Sequence, residues 1–215
     1  MVWSPSPHGG GLRVKRCIII GRPNVGKTMF ALQFAMYLGL AQPRIAFAEA
    51  GGRRWEKEYD IGSALADLTG SEPHYTRQLQ TLRLELPAGK GRREFELVDT
   101  SGLVDGIHPD ATIRRAMAQT LAAVRDAHII LHMVDAAQAG RTDAVQALGE
   151  VDYQVAQFAQ MRGGYLLVAN KMDLPEAARG LDRIRREFVG HPVAPVSALY
   201  RQGFHEVKAF VWRHL

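Results

Sequence analysis

Eight consecutive residues, Gly21-Arg22-Pro23-Asn24-Val25-Gly26-Lys27-Thr28, place glycine first and sixth, lysine seventh and a hydroxyl eighth. The arrangement suits the grip of a polyphosphate. Glycine permits the tight turn and lets backbone N–H groups converge on an anion, lysine brings a mobile charge to its end, and the hydroxyl can ligate a divalent cation. The surroundings agree. The apolar run Val14 to Ile20 reads as a strand before the loop, and Lys27 to Leu38, stopped by Gly39, reads as a helix after it. The N-terminus of that helix adds a favourable partial charge for the anion.

Three further stations each follow an apolar strand run. Asp99-Thr100-Ser101-Gly102 comes after Phe95 to Val98. Its carboxylate sits where open α/β sheets bind ligands and suits magnesium, and Gly102 suits donation of its backbone N–H to a γ-phosphate. Asn170-Lys171-Met172-Asp173 comes after Tyr165 to Ala169. A carboxylate at Asp173 accepts from both the ring N1–H and the exocyclic amine of guanine, whereas adenine offers neither donor there. Asn170 pairs with the base edge and braces the phosphate loop in this reading, and the Lys171 stem covers the base face. Ser197-Ala198, after Val193 to Val196, supplies a backbone N–H for the guanine O6.

These four stations, in this order, resemble a P-loop GTPase of the translation-factor-related class, and most closely its Era-like branch. The resemblance rests on Gly-Arg-Pro-Asn-Val-Gly-Lys-Thr, Asp-Thr-Ser-Gly-Leu, Asn-Lys-Met-Asp and Ser-Ala, and covers residues 14–215. It implies a three-layer α/β fold with a six-stranded, mostly parallel sheet and helices on both faces. It also implies a switch that binds GTP and GDP with magnesium, contacting the nucleotide through Gly21 to Thr28, Asp99, Gly102, Asn170, Lys171, Asp173, Ser197 and Ala198. Lys27, Gly102 and a first-switch threonine would carry the catalysis, with magnesium held by Thr28, Asp99 and that threonine. Thr76 is the choice for it, with Thr69 and Thr81 as alternatives. Many relatives place a glutamine directly after the DxxG motif to hold the attacking water, and here that residue is Leu103. In several relatives an asparagine at the position of Asn24 helps to bind potassium, which would stand in for an arginine finger. Ser101 replaces a commoner proline and is expected to loosen the second switch.

Around these stations the order of elements alternates strands with helices, as a parallel sheet with crossovers requires. The segment Leu82 to Leu86 forms a hairpin with the strand at Glu94 and is expected to be an antiparallel edge. Helices are predicted over residues 111–125, 142–160, 176–188 and 204–213, whereas residues 44–78 resist placement beyond a helix at Ile61 to Thr69. Residues 1–13, rich in Pro, Gly and Ser, read as a flexible lead-in to one G domain over 14–215.

With 47% apolar and 23% charged residues the chain is globular in composition. One cysteine, Cys17 within an apolar run, fits a buried thiol and a cytoplasmic setting. No stretch is long and apolar enough to span a membrane. The net charge of +5 gives a mild attraction for polyanions, hence ribosome or RNA contact, without a sign of sequence-specific DNA binding. His132, inside an apolar run, reads as a hydrogen-bonded core residue. His108 and Asp105 read chiefly as solvated residues of the second switch, and Trp55 with Arg53, Arg54 and Lys57 as a solvated charge cluster beside a core tryptophan. Two functions stay open: a GTP-hydrolysing switch, and a nucleotide-gated module of negligible turnover that docks a partner or forms a homodimer in its GTP state.

Overall fold

Alternating burial along the central strands explains the layering. In β1 (Lys15–Gly21) the side chains of Cys17 and Ile19 enter one apolar cluster while Ile18 and Ile20 enter another on the opposite face. A strand buried on both faces must lie inside a sheet covered by helices on each side. The structure, a computed structural model, describes residues 14–69, 78–88, 91–141, 148–160 and 162–215. Among them the chain forms α1 (Lys27–Tyr37), β2 (Arg44–Glu49), β3 (Arg54–Glu58), α2 (Ile61–Leu68), β4 (Gln78–Ala88), β5 (Gly91–Asp99) and α3 (Ala111–Asp126). It continues with β6 (Ile129–Asp135), α4 (Ala136–Gly140), α5 (Glu150–Gln160), β7 (Tyr165–Asn170), α6 (Ala177–Glu187), β8 (Val193–Pro195) and α7 (Phe204–His214).

The sheet order is β3-β2-β4-β5-β1-β6-β7-β8. Strands β5, β1, β6, β7 and β8 run parallel, and β4, β2 and β3 pair antiparallel. The expected class is therefore present, but eight strands replace the expected six. Strand β4, expected at the edge, lies between β2 and β5. The unplaced stretch supplies the extra pair. In β3, Arg-Trp-Glu-Lys-Glu, four of five residues are charged, so composition reads as loop. Pairing overrides it: Trp55 lies opposite Phe47 of β2 and stacks on it with ring centroids 5.3 Å apart. Charged outer positions suit a strand whose far edge faces solvent. Arg53 covers the Trp55 ring at 5.0 Å, so this tryptophan is packed against the sheet while the charged side chains around it are exposed.

Helices α1, α2 and α7 cover one face, and α3, α4, α5 and α6 the other. Of the predicted helix over 142–160, Leu148 and Gly149 lie outside the helix, which begins at Glu150; residues 142–147 lie outside the described residues, as do residues 1–13. No helix among the described residues is long and apolar enough to cross a membrane. Cys17 is fully buried, and burial pushes its thiol well above the ordinary range. His132 is a core residue as expected, 1% exposed, bonded to Tyr165 Oη at 2.8 Å and Asp152 Oδ1 at 3.0 Å.

The helix that follows the phosphate loop is fixed by aromatic packing. Phe204 at the start of α7 meets the rings of Phe30, Phe34 and Tyr37 of α1 edge-on at 5.1, 5.7 and 5.7 Å. Truncating Phe204, which is 1% exposed, leaves a cavity on the inner face of α1. Phe204→Ala is expected to lower the unfolding free energy in urea by about 3–5 kcal/mol; a loss well under 1 kcal/mol would show that α1 is held by something else.

Candidate functional site

All the parallel strands deliver their C-terminal ends to one edge of the sheet, and the sequence stations follow those ends. Gly21 ends β1, Asp99 ends β5, Asn170 ends β7 and Ser197 follows β8. At the phosphate loop the backbone is left-handed at Asn24 (φ 63°) and at Gly26 (φ 96°). A side chain at Gly26 is excluded twice over, because a Cβ there would lie 2.5 Å from Asn170 Nδ2.

That contact belongs to a brace. Asn170 Nδ2 donates to the Val25 carbonyl at 2.8 Å, and Asn170 Oδ1 accepts from the Ala198 N–H at 3.0 Å, both buried. One amide therefore joins the phosphate loop to the Ser197-Ala198 loop across the strand ends. Both functional atoms of Asn170 are committed to protein, and so is the Ala198 N–H expected to meet a base. Ser197 Oγ donates to Asp173 Oδ1 at 2.5 Å and orients it. Lys171, left-handed at φ 65°, places its ammonium 2.6 Å from Asp135 Oδ2.

Asp135 escaped sequence reasoning. Its Oδ1 caps α4 through the Gln138 N–H at 2.9 Å while Oδ2 holds Lys171, so one carboxylate orients two elements beside the Asn170 motif. The available signal was an acid at the end of the buried run Ile129 to Val134, at the ligand-binding edge of the sheet.

Electrostatics at the phosphate end are unbalanced. Asp99 is fully buried; Thr28 Oγ1 donates to its Oδ2 at 2.6 Å, and its Oδ1 has no hydrogen-bond partner. Burial pushes the carboxyl up to about 6, against the Thr28 hydrogen bond and the Lys27 charge. Lys27 is buried too, its ammonium pulled down to about 8 by burial against the attraction of Asp99 and Asp152, and its Nζ donates to the Arg22 carbonyl at 2.8 Å. A buried carboxylate with an unpartnered oxygen beside a hydroxyl fits a divalent cation. A buried ammonium that donates to a carbonyl fits an anion. No cluster of three or more His, Cys, Asp or Glu that would cage a metal occurs among the described residues. This donor set suits magnesium, which keeps water and phosphate oxygens in its shell.

The second switch departs from expectation at Ser101. Ser101, expected to loosen it, is buried and shares a hydrogen bond with Thr120 Oγ1 of α3 at 2.9 Å. Leu103, in the usual place of a water-holding side chain, is 1% exposed within the core beneath α3. Gly102 packs on the phosphate loop so closely that a Cβ would lie 2.6 Å from Pro23 N. His108 accepts from the Asp110 N–H at 3.1 Å, beside the start of α3. Thr76 lies outside the described residues. Of the alternatives, Thr81 sits inside β4 opposite Val98, and Thr69 Oγ1 donates to the Leu65 carbonyl at the end of α2. Asn24 is exposed at the tip of the phosphate loop.

Residues 61–171 match the model of a family described as 50S ribosome-binding GTPase, just over half of the chain. A curated relative, GTPase Obg of Halalkalibacterium halodurans, is 31% identical over 114 residues, covering 52% of this chain and 26% of its own length. Among solved structures, Era in complex with MgGDPNP and nucleotides 1506–1542 of 16S ribosomal RNA is similar at 17% identity and a TM-score of 0.62, covering 95% of this chain and 58% of that one. The G domain of the T. maritima FeoB iron transporter is similar at 18% identity and a TM-score of 0.54, covering 94% and 99%. The last two are likenesses of fold.

The Asn170 brace carries a test that needs no ligand. Asn170→Ala leaves the buried Val25 carbonyl and Ala198 N–H without partners and is expected to lower the stability of the nucleotide-free protein by about 2 kcal/mol in urea unfolding. Unchanged nucleotide-free stability would show that the amide is not structural.

Proposed function

We propose that this chain, which belongs to the 50S ribosome-binding GTPase family, binds GTP and GDP through a single G domain over residues 14–215 and hydrolyses GTP to GDP and phosphate. The observation that carries this reading is the Asn170 brace, which joins a phosphate loop to a guanine-type motif at one edge of the sheet. Asp173, oriented by Ser197, accepts the N1–H and exocyclic amine of guanine, and the Lys171 stem lies along the base. Lys27 exchanges the Arg22 carbonyl for the β- and γ-phosphates. Thr28 and Asp99, with Thr76, hold magnesium, whose charge offsets that of the phosphates when bound. The Gly102 N–H serves the γ-phosphate. An attacking water forms the new P–O bond as the bond to the β-phosphate oxygen breaks, and positioning supplies most of the catalysis.

Asn24 contributes a ligand for potassium in this reading, since Leu103 points into the core and offers no group to a water. The same burial favours a second reading: little turnover in isolation, with GTP gating a homodimer or a docked partner. The family description and the net charge of +5 favour ribosomal RNA as that partner, in a cytoplasmic setting.

Single-turnover cleavage of GTP by the isolated protein separates the two, and it is expected to run at least tenfold faster in potassium than in sodium (about 1.4 kcal/mol of barrier). Equal rates in the two salts would remove Asn24 and potassium from the mechanism, and no cleavage in either would leave the gated module. Asp173→Asn is expected to weaken GDP binding by about a hundredfold, or roughly 2.7 kcal/mol, and to favour the xanthine nucleotide. GTP affinity unchanged in this variant would refute the guanine assignment.

A further inference from the structure

Asp105 follows Gly102 and Leu103 in the second switch, and both of its carboxylate oxygens are engaged. Oδ1 accepts from the Val151 N–H in the first turn of α5 at 2.8 Å, and Oδ2 lies 3.3 Å from Nη1 of Arg22 in the phosphate loop. The three segments meet over Gly149, where any Cβ would overlap both Arg22 Nη1 and Asp105 Oδ2. The floor of this meeting point is buried and hydrogen-bonded. Asp152 Oδ2 accepts from the Gly149 N–H at 2.9 Å, and its Oδ1 is held by the buried His132 at 3.0 Å. A second tie runs alongside, from the Leu103 N–H to the Gly21 carbonyl at 3.1 Å.

We propose that Asp105 is a positioning residue for GTP hydrolysis, clamping the Gly102–Leu103 backbone against the phosphate loop through Arg22 and the first turn of α5. The proposal rests on the GTPase reading above. Arg22 and Asp105 are both partly exposed, with side chains 23% and 32% accessible, so their ion pair adds little to stability. What the carboxylate does is geometric. It fixes the distance between the Gly102 N–H and the loop that grips the phosphates, from an anchor on the sheet that neither loop contains. Displacing reacting groups by roughly 1 Å costs on the order of a hundredfold in rate, so a loosened clamp is felt in the chemical step. Asp105 itself contacts neither the guanine motif nor the Lys27 side chain, so its loss is expected to spare nucleotide affinity.

Two variants break the clamp from different sides. Asp105→Ala removes the carboxylate, and Gly149→Ala leaves both partners in place but inserts a methyl group between them. Each is expected to slow single-turnover GTP cleavage about ten- to a hundredfold while GDP affinity stays within about threefold. Asp105→Asn, which retains an acceptor for Val151 but loses the charge facing Arg22, should fall between wild type and Asp105→Ala. Amide hydrogen exchange at Leu103 in the GDP-bound protein gives a readout independent of turnover, and both clamp-breaking variants should speed it. Wild-type cleavage and unchanged Leu103 protection in both would overturn the proposal, as would a rate loss matched by an equal loss of GDP affinity. A wild-type protein that fails to bind GDP would sink the GTPase reading itself.

Discussion

The two halves of the candidate site depend on one side-chain amide. Asn170 has a donor and an acceptor on a rigid plane, and it uses the donor on the Val25 carbonyl and the acceptor on the Ala198 N–H. The two loops lie 145 and 28 residues away in sequence from the residue that joins them. They are brought to it by register, since β6 pairs with β1 on one side and β7 on the other, and β7 pairs with β8. Because strands neither stretch nor bend easily, the separation between phosphate loop and base loop becomes a property of the sheet. The missing side chain at Gly26 is part of the same constraint, because it lets the amide approach the loop.

Around that brace two charged groups are buried. Burial raises Asp99 to about 6 and lowers Lys27 to about 8, so each is drawn toward the neutral form. They partly stabilise one another, but among the described residues Asp99 Oδ1 has no hydrogen-bond partner and the lysine donates to a carbonyl. A cation at the first and an anion at the second relieve both penalties together. In a buried setting such interactions are far stronger than in water. A ligand bound at these groups would add to the stability of the fold.

The second switch shows how the same edge is shared between rigidity and adjustment. Thr100 and Ser101 are tied into the core through Ile19 and Thr120, Leu103 fills space beneath α3, and only beyond it, from residue 105 to residue 107, does the chain become exposed. A side chain that packs a core cannot also hold a water at the surface. Leu103 therefore offers no group to a water at this edge.

Much of the site was legible in the sequence because its signals are local. A strand, a glycine-bearing turn and a helix N-terminus are consecutive residues, so the phosphate loop, Asp99 and the Asn170 motif could each be placed at a strand end from pattern and spacing. The buried Cys17 and His132 followed from the apolar runs that contain them. Tertiary structure decided the rest, by pairings between residues far apart in the chain. Trp55 became part of a strand only because Phe47 stands opposite it, β4 became interior only because β2 lies beyond it, and Ser101 was secured rather than loosened only because Thr120 reaches it. The composition of Arg54 to Glu58 or the identity of residue 101 contains no record of those neighbours. The residue types and their order determined what chemistry is proposed for the chain. The packing of distant segments determined which of those groups are already committed to holding the site together.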